Sequence, residues 1–73
     1  MSTTAVEQVT EKVIAELEHQ HVSGTELACR MKVSQAFVSR RLRAEVPFDL
    51  AELDRVAEVL AVPVEQFLSG DAA

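Results

Sequence analysis

Three helix starts with the same punctuation fall between residues 22 and 53, and they confine the chain to short helices set at angles to one another. Ser23 opens Ser-Gly-Thr-Glu, so that Glu26 stands three positions after the serine. In that spacing the serine oxygen accepts an N–H of the first turn, and the glutamate reaches back to the serine N–H. Val22 before the cap and Leu27 after it are placed to close a hydrophobic staple. Ser34 repeats the arrangement with Val33 and Val38, and Asp49 repeats it with Glu52 in the box and Phe48 and Leu53 as the staple.

The apolar spacing fills in the rest. Val6, Val9, Val13, Ile14 and Leu17 recur with the helical period, which predicts one amphipathic helix from residue 4 to about 20. A short helix from Gly24 to Met31 follows, and a third from about Gln35 to Ala44. Pro47 forbids extension of the third through that point. A fourth carries Leu50, Leu53, Val56, Ala57 and Leu60 on one stripe. Pro63 opens a last short helix through Val64, Phe67 and Leu68, ending near Gly70. No hairpin signal, repeat or low-complexity segment interrupts the series. The expectation is an all-α, compact five-helix domain spanning residues 1–73, with loose ends at 1–4 and 71–73.

Composition excludes several classes of function. At 48% hydrophobic the 73 residues can build a small core. No apolar run approaches the roughly 18 residues of a membrane span, and the start lacks the basic and apolar stretches of a secretory signal. The single cysteine, Cys29, permits no internal disulfide and fits a reducing cytoplasm. His19 and His21 lie two apart, about 200° around a helix, and cannot chelate one metal from it. Cys29 falls on the outer side of the second helix with no histidine partner, and Gly24 and Gly70 are too few for a phosphate-cradling loop. The expectation is no enzyme, no metal, no cofactor, no small-molecule ligand and no membrane.

Charge is distributed very unevenly. Residues 1–29 hold Lys12 against five glutamates, and residues 44–73 hold Arg55 against seven acids. Between them Arg30, Lys32, Arg40, Arg41 and Arg43 stand with no acid, in a chain whose net charge is −5. A solvated helix face interleaves both signs, so an unbroken basic island points to an anionic partner.

That island coincides with the tight pair of helices at 24–44, joined by little more than Lys32 and Val33. A helix, a turn of about three residues and a second helix make the helix-turn-helix arrangement, here about residues 23–44. Ala28 is small where the two helices must cross, and Leu27, Met31, Val33, Val38 and Leu42 supply the apolar wedge. Residues 22–68 resemble the lambda-repressor and Cro-like helix-turn-helix family, also called the XRE family. The stretches SGTELACRMKVSQAFVSRRL and PFDLAELDRVAEVLAVPVEQFL carry the resemblance. Lys32 stands where that family's turn usually carries glycine. Gly24 stands where glutamine often clamps a phosphate, leaving only the backbone N–H, and Arg41 stands where a second apolar residue is common.

The resemblance implies that helix 35–43 is a recognition helix lying in the major groove. By helical angle Val38 and Leu42 face inward, Ala36, Arg40 and Arg43 face outward, and Phe37 and Ser39 flank them. Gln35 suits adenine and Arg40 guanine, and Ala36 or Phe37 could cover a thymine methyl. Gln35, Ala36, Phe37, Ser39 and Arg40 are the expected base contacts. Gly24, Thr25, Lys32, Arg41 and Arg43 are the expected phosphate contacts. Packing on the first helix is the competing reading for Phe37, and an ion pair with a glutamate of helix one or four is that for Arg41.

The expected function is a sequence-specific double-stranded-DNA-binding transcriptional regulator of repressor or Cro type, acting by occupancy in the cytoplasm at the nucleoid. A homodimer on a two-fold operator would read enough base pairs, with Val64, Phe67 and Leu68 as the expected dimer surface. The alternative is a helix-turn-helix-derived protein-interaction module or antitoxin-like inhibitor, favoured by the acidic flanks.

Overall fold

The computed structural model describes residues 5–68, with side chains from position 7 onward. Within them the chain forms α1 (Ala5–Gln20), α2 (Gly24–Met31), α3 (Gln35–Leu42), α4 (Leu50–Leu60) and α5 (Glu65–Leu68), with no strand among the described residues. The expected loose ends and the expected stop near Gly70 lie outside the described residues.

The helix starts form as their sequence dictates. Ser23 Oγ accepts the Glu26 N–H at 3.0 Å, and Ser34 Oγ accepts the Phe37 N–H at 3.1 Å. Asp49 closes a full capping box, its carboxylate accepting the Glu52 N–H at 2.7 Å while Glu52 accepts the Asp49 N–H at 3.1 Å.

The helix ends are built differently from any glycine-based expectation. His21, Lys32, Ala44 and Ala61 all have φ near +60°; His21, Lys32 and Ala61 directly follow a helix, and Ala44 follows Arg43, the C-cap of α3. The residue after each donates its N–H back to a carbonyl five positions earlier: Val22 to Leu17, Val33 to Ala28, Glu45 to Arg40 and Val62 to Ala57. This is the Schellman closure, made four times without a glycine. It ends α3 at Leu42, two residues short of the expected Ala44 and well before Pro47. His21 is thus an ordered cap of α1 rather than part of a fraying end.

Val22 and Val33 then each serve two helices, closing the preceding one and stapling the next. The connections His21-Val22-Ser23 and Lys32-Val33-Ser34 are three residues long for that reason. So short a connection turns the chain sharply and brings α3 back along α2.

The core draws one large, fully buried side chain from every helix: Val13, Leu27, Val38, Val56 and Phe67. Leu17, Ala28, Met31, Leu53, Ala57 and Leu60 complete it, with Val22 from the first connection. Two of the expected apolar assignments need correction. Leu50 was placed on the buried stripe of α4 but is 67% exposed, because it opens the helix at the rim of an apolar groove. Phe67, expected at a dimer surface, is 1% exposed and is the anchor that holds α5 to its own protomer. Outside the core, Glu16 accepts from Gln20 and Gln66, and Gln20 also donates to the Leu60 carbonyl at 2.9 Å. Those bonds join α1 to the ends of α4 and α5, and they hold the Glu16 carboxyl below its usual range, Gln20 contributing most.

A left-handed alanine costs free energy that glycine does not. Ala61→Gly, at an exposed cap remote from α3, is expected to raise unfolding free energy by about 0.5–1 kcal/mol, part of the relief being offset by the freer unfolded chain. A thermal melt reads this as a rise of a few degrees for a domain of this size. A lower melting temperature would contradict the capping account.

Candidate nucleic-acid interface

α3 is an eight-residue helix that contributes only Val38 to the fully buried core. Its backbone runs closest to α2 and then α1. Leu42 and Phe37 pack at the core's edge, while Gln35, Ala36 and Arg40 are exposed and Ser39 is half-buried. The helix is therefore mounted on one stripe and offers the opposite one to solvent.

The start of α2 meets this surface. Gly24, Thr25, Gln35, Ser39, Val38 and Leu42 line one open cleft between the two helices. Glu26 and Leu27 give their N–H groups to Ser23, so those of Gly24 and Thr25 carry no hydrogen bond within the described residues. Gly24 is small here for a steric reason: a Cβ would stand 3.3 Å from Leu42 Cδ1. Two expected base-reading residues and two expected phosphate-holding residues thus share one concave surface.

The basic island is not unpaired, as its sequence suggests. Arg30 pairs with Glu26 one turn earlier on the exposed face of α2. Arg43, just past α3, approaches Glu45 at 3.4 Å with both side chains more than half exposed. Among the described residues the island cations without an ion pair are Lys32 and Arg40, both exposed. Lys32 occupies the left-handed turn position.

Arg41 follows its competing reading, an ion pair with a glutamate of helix four. Its guanidinium makes a two-pronged pair with Glu52 of α4, Nε to Oε1 at 2.8 Å and Nη2 to Oε2 at 3.0 Å. Nη1 donates to the Phe37 carbonyl at 3.1 Å, and the guanidinium carbon lies 3.6 Å from the centre of the Phe37 ring. The two charged side chains are 14% and 19% exposed. Arg41 therefore faces α4, and Phe37 lies half-buried beneath it, at the edge of the core. The Arg41 hydrogen bond holds the Glu52 carboxyl below its usual range, against the opposing effect of partial burial. No helical spacing announces this pair, because its members lie eleven positions apart on different helices.

Two further features escaped sequence reasoning. Leu50 and the expected surface residue Leu68, large apolar side chains exposed among the described residues, line one groove with Val9, Pro47, Phe48 and Leu53. Thr10 Oγ1 is buried in α1 without a hydrogen-bond partner among the described residues. Val64, the remaining expected dimer residue, is half-buried. Cys29 and His19 are exposed, and no group of three or more potential metal ligands occurs among the described residues. No described helix is long and apolar enough to cross a membrane.

Folded Glu52 gives up its proton more readily than the unfolded chain does. The pair's contribution is thus complete above the ordinary carboxyl value of 4.5 and is lost as pH falls through the lower folded value. Glu52→Gln, which can retain the capping-box bond, is expected to lower stability at pH 7 by about 1–3 kcal/mol. It should also show a smaller further loss than the wild type on acidification to pH 3. Urea titrations at the two pH values check this, and equal acid losses would contradict it.

Comparison with known proteins accords with this small helical architecture. No curated protein and no solved structure matches the chain. The family model described as the BetR domain matches residues 2–73, almost the full length, and the chain belongs to the BetR domain family.

Proposed function

We propose that this domain is a sequence-specific double-stranded-DNA-binding transcriptional regulator, with α3 inserted in the major groove. One observation carries the reading. α3 is held by a single fully buried side chain and presents Gln35, Ala36 and Arg40 together on its free face, beside the open N–H groups that begin α2. A helix mounted in this way can enter a groove without disturbing the core. Its outward chemistry suits base edges, with glutamine for adenine and arginine for guanine. The resemblance of residues 22–68 to the lambda-repressor and Cro-like family supports the same docking.

In this reading Gln35, Ala36, Ser39 and Arg40 meet bases, Phe37 reaching only as far as its packing under Arg41 allows. Gly24, Thr25, Lys32 and Arg43 hold phosphates. The exposed pair between Arg43 and Glu45 is no obstacle, since such pairs are worth little and a phosphate can replace the carboxylate. The regulator acts by occupancy at the nucleoid, in the cytoplasm, without catalysis or cofactor. Two copies bind a two-fold operator, and the apolar groove of Phe48, Leu50 and Leu68 is a better dimer surface than the buried Phe67.

The second reading, a protein-interaction module, draws on the glutamates that neutralise three of the five island cations. Substitution separates the two. Arg40→Ala is expected to cost about 1–3 kcal/mol and to relax preference at one base pair. Arg43→Ala is expected to weaken binding to all duplexes alike and to flatten the salt dependence by about one unit. Fluorescence titrations over a salt series distinguish these patterns. Activity in cells that survives both substitutions would favour the protein-interaction reading.

A further inference from the structure

Three arginine–glutamate pairs border the surface assigned to DNA, and they differ in how readily a phosphate could break them. In the Arg30–Glu26 and Arg43–Glu45 pairs the side chains are 42–64% exposed, so solvent screens the attraction and either partner can leave. The Arg41–Glu52 pair is shielded, doubly hydrogen-bonded and braced by the Phe37 ring and carbonyl. Releasing Arg41 would strand the Glu52 charge at 19% exposure and forfeit every one of those contacts. A carboxylate presents the same two-oxygen fork that a phosphate does, so Glu52 occupies the place on Arg41 that DNA would otherwise take.

We propose that Glu52 limits the domain's sequence-independent affinity for DNA: by holding Arg41 against α4, it withholds one recognition-helix cation from the DNA backbone. The inference rests on the DNA-binding reading and deepens it. Phosphate contacts raise affinity for every sequence equally, whereas base contacts discriminate. α3 carries two adjacent arginines, and the fold assigns them opposite fates: Arg40 is exposed and makes no ion pair, while Arg41 is locked away. The domain keeps its recognition helix basic enough to approach DNA and removes a charge that would bind without reading. Glu52 is suited to this because the capping box also holds its carboxylate, the Asp49 N–H donating to the same Oε1 that takes Arg41 Nε.

The test uses the full chain and two duplexes, one of random sequence and one enriched by the wild type from a random pool, titrated between about 50 and 200 mM salt. Glu52→Gln is expected to bind the random duplex more tightly at low salt, with a logarithmic salt slope steeper by about 0.9. The affinity for the enriched duplex should rise by the same factor, so that the ratio of the two stays at its wild-type value. Arg41→Met, which keeps an apolar stem over Phe37, is expected to leave the slope at its wild-type value. The double variant should return to that value as well. A slope flattened by about one in Arg41→Met would show Arg41 already on a phosphate and overturn the proposal. An unchanged slope in a folded Glu52→Gln would overturn it too, and if that variant fails to fold, Arg41→Met decides alone. Either failure leaves the DNA-binding reading intact, whereas a wild type that enriches no duplex removes that reading and this inference with it.

Discussion

The left-handed residue that follows each of the first four helices is the constraint on which the rest depends. It reverses the chain within one residue and returns an N–H to the last turn, so that the next residue enters the core edge already aligned for the following cap. Where that next residue is Val22 or Val33, a serine cap follows at once and the next helix begins. After α3 the same closure places Glu45 in the valine's position, and no helix starts until Asp49 caps α4. The difference sets the architecture. Two tight connections fold α1, α2 and α3 against one another, while the looser segment 43–49 lets α4 cross beneath and supply Glu52 to the recognition helix.

That geometry resolves the tension between an acidic protein and a basic island. Glutamates from α2, from the segment after α3 and from α4 each meet an island arginine, and Arg40 and Lys32 are left without one among the described residues. The surface is thus less basic than its composition suggests, and its remaining charge is concentrated where α3 is most exposed. The Arg41–Glu52 pair also has a mechanical role. α3 follows α2 and α1 with its backbone, and this pair reaches across to α4, limiting rotation of a helix that buries only one side chain fully.

Helix starts were legible in the sequence because the groups that make them are side chains at fixed spacing: Ser23 with Glu26, Ser34 and Asp49 with Glu52. Helix ends were legible in part: α1 and α2 stop where the sequence placed their ends and Lys32 stands at the turn position usual for glycine, whereas a left-handed histidine or alanine has no compositional mark. The outward stripe of α3 followed from periodicity, and Ala36, Arg40 and Arg43 are exposed as the helical angle put them. Periodicity fails at the ends of elements, as with Leu50, which opens α4 at the rim of an apolar groove and stays 67% exposed. It also fails for Phe67, since a four-residue helix has too few positions to reveal which of its apolar residues turns inward. An ion pair of Arg41 with a glutamate of helix one or four was open from the sequence, but the choice of Glu52 was not, since it lies eleven positions away on another helix.

The central claim is that the free face of α3 reads DNA sequence. Selection of binding sites by the full chain from a random duplex pool at near-physiological salt tests it most directly. The account predicts enrichment of a short motif, as an inverted repeat with half-sites about one helical turn apart when two copies bind together. Recovery of an unenriched pool, with only weak binding that vanishes as salt rises, would contradict it.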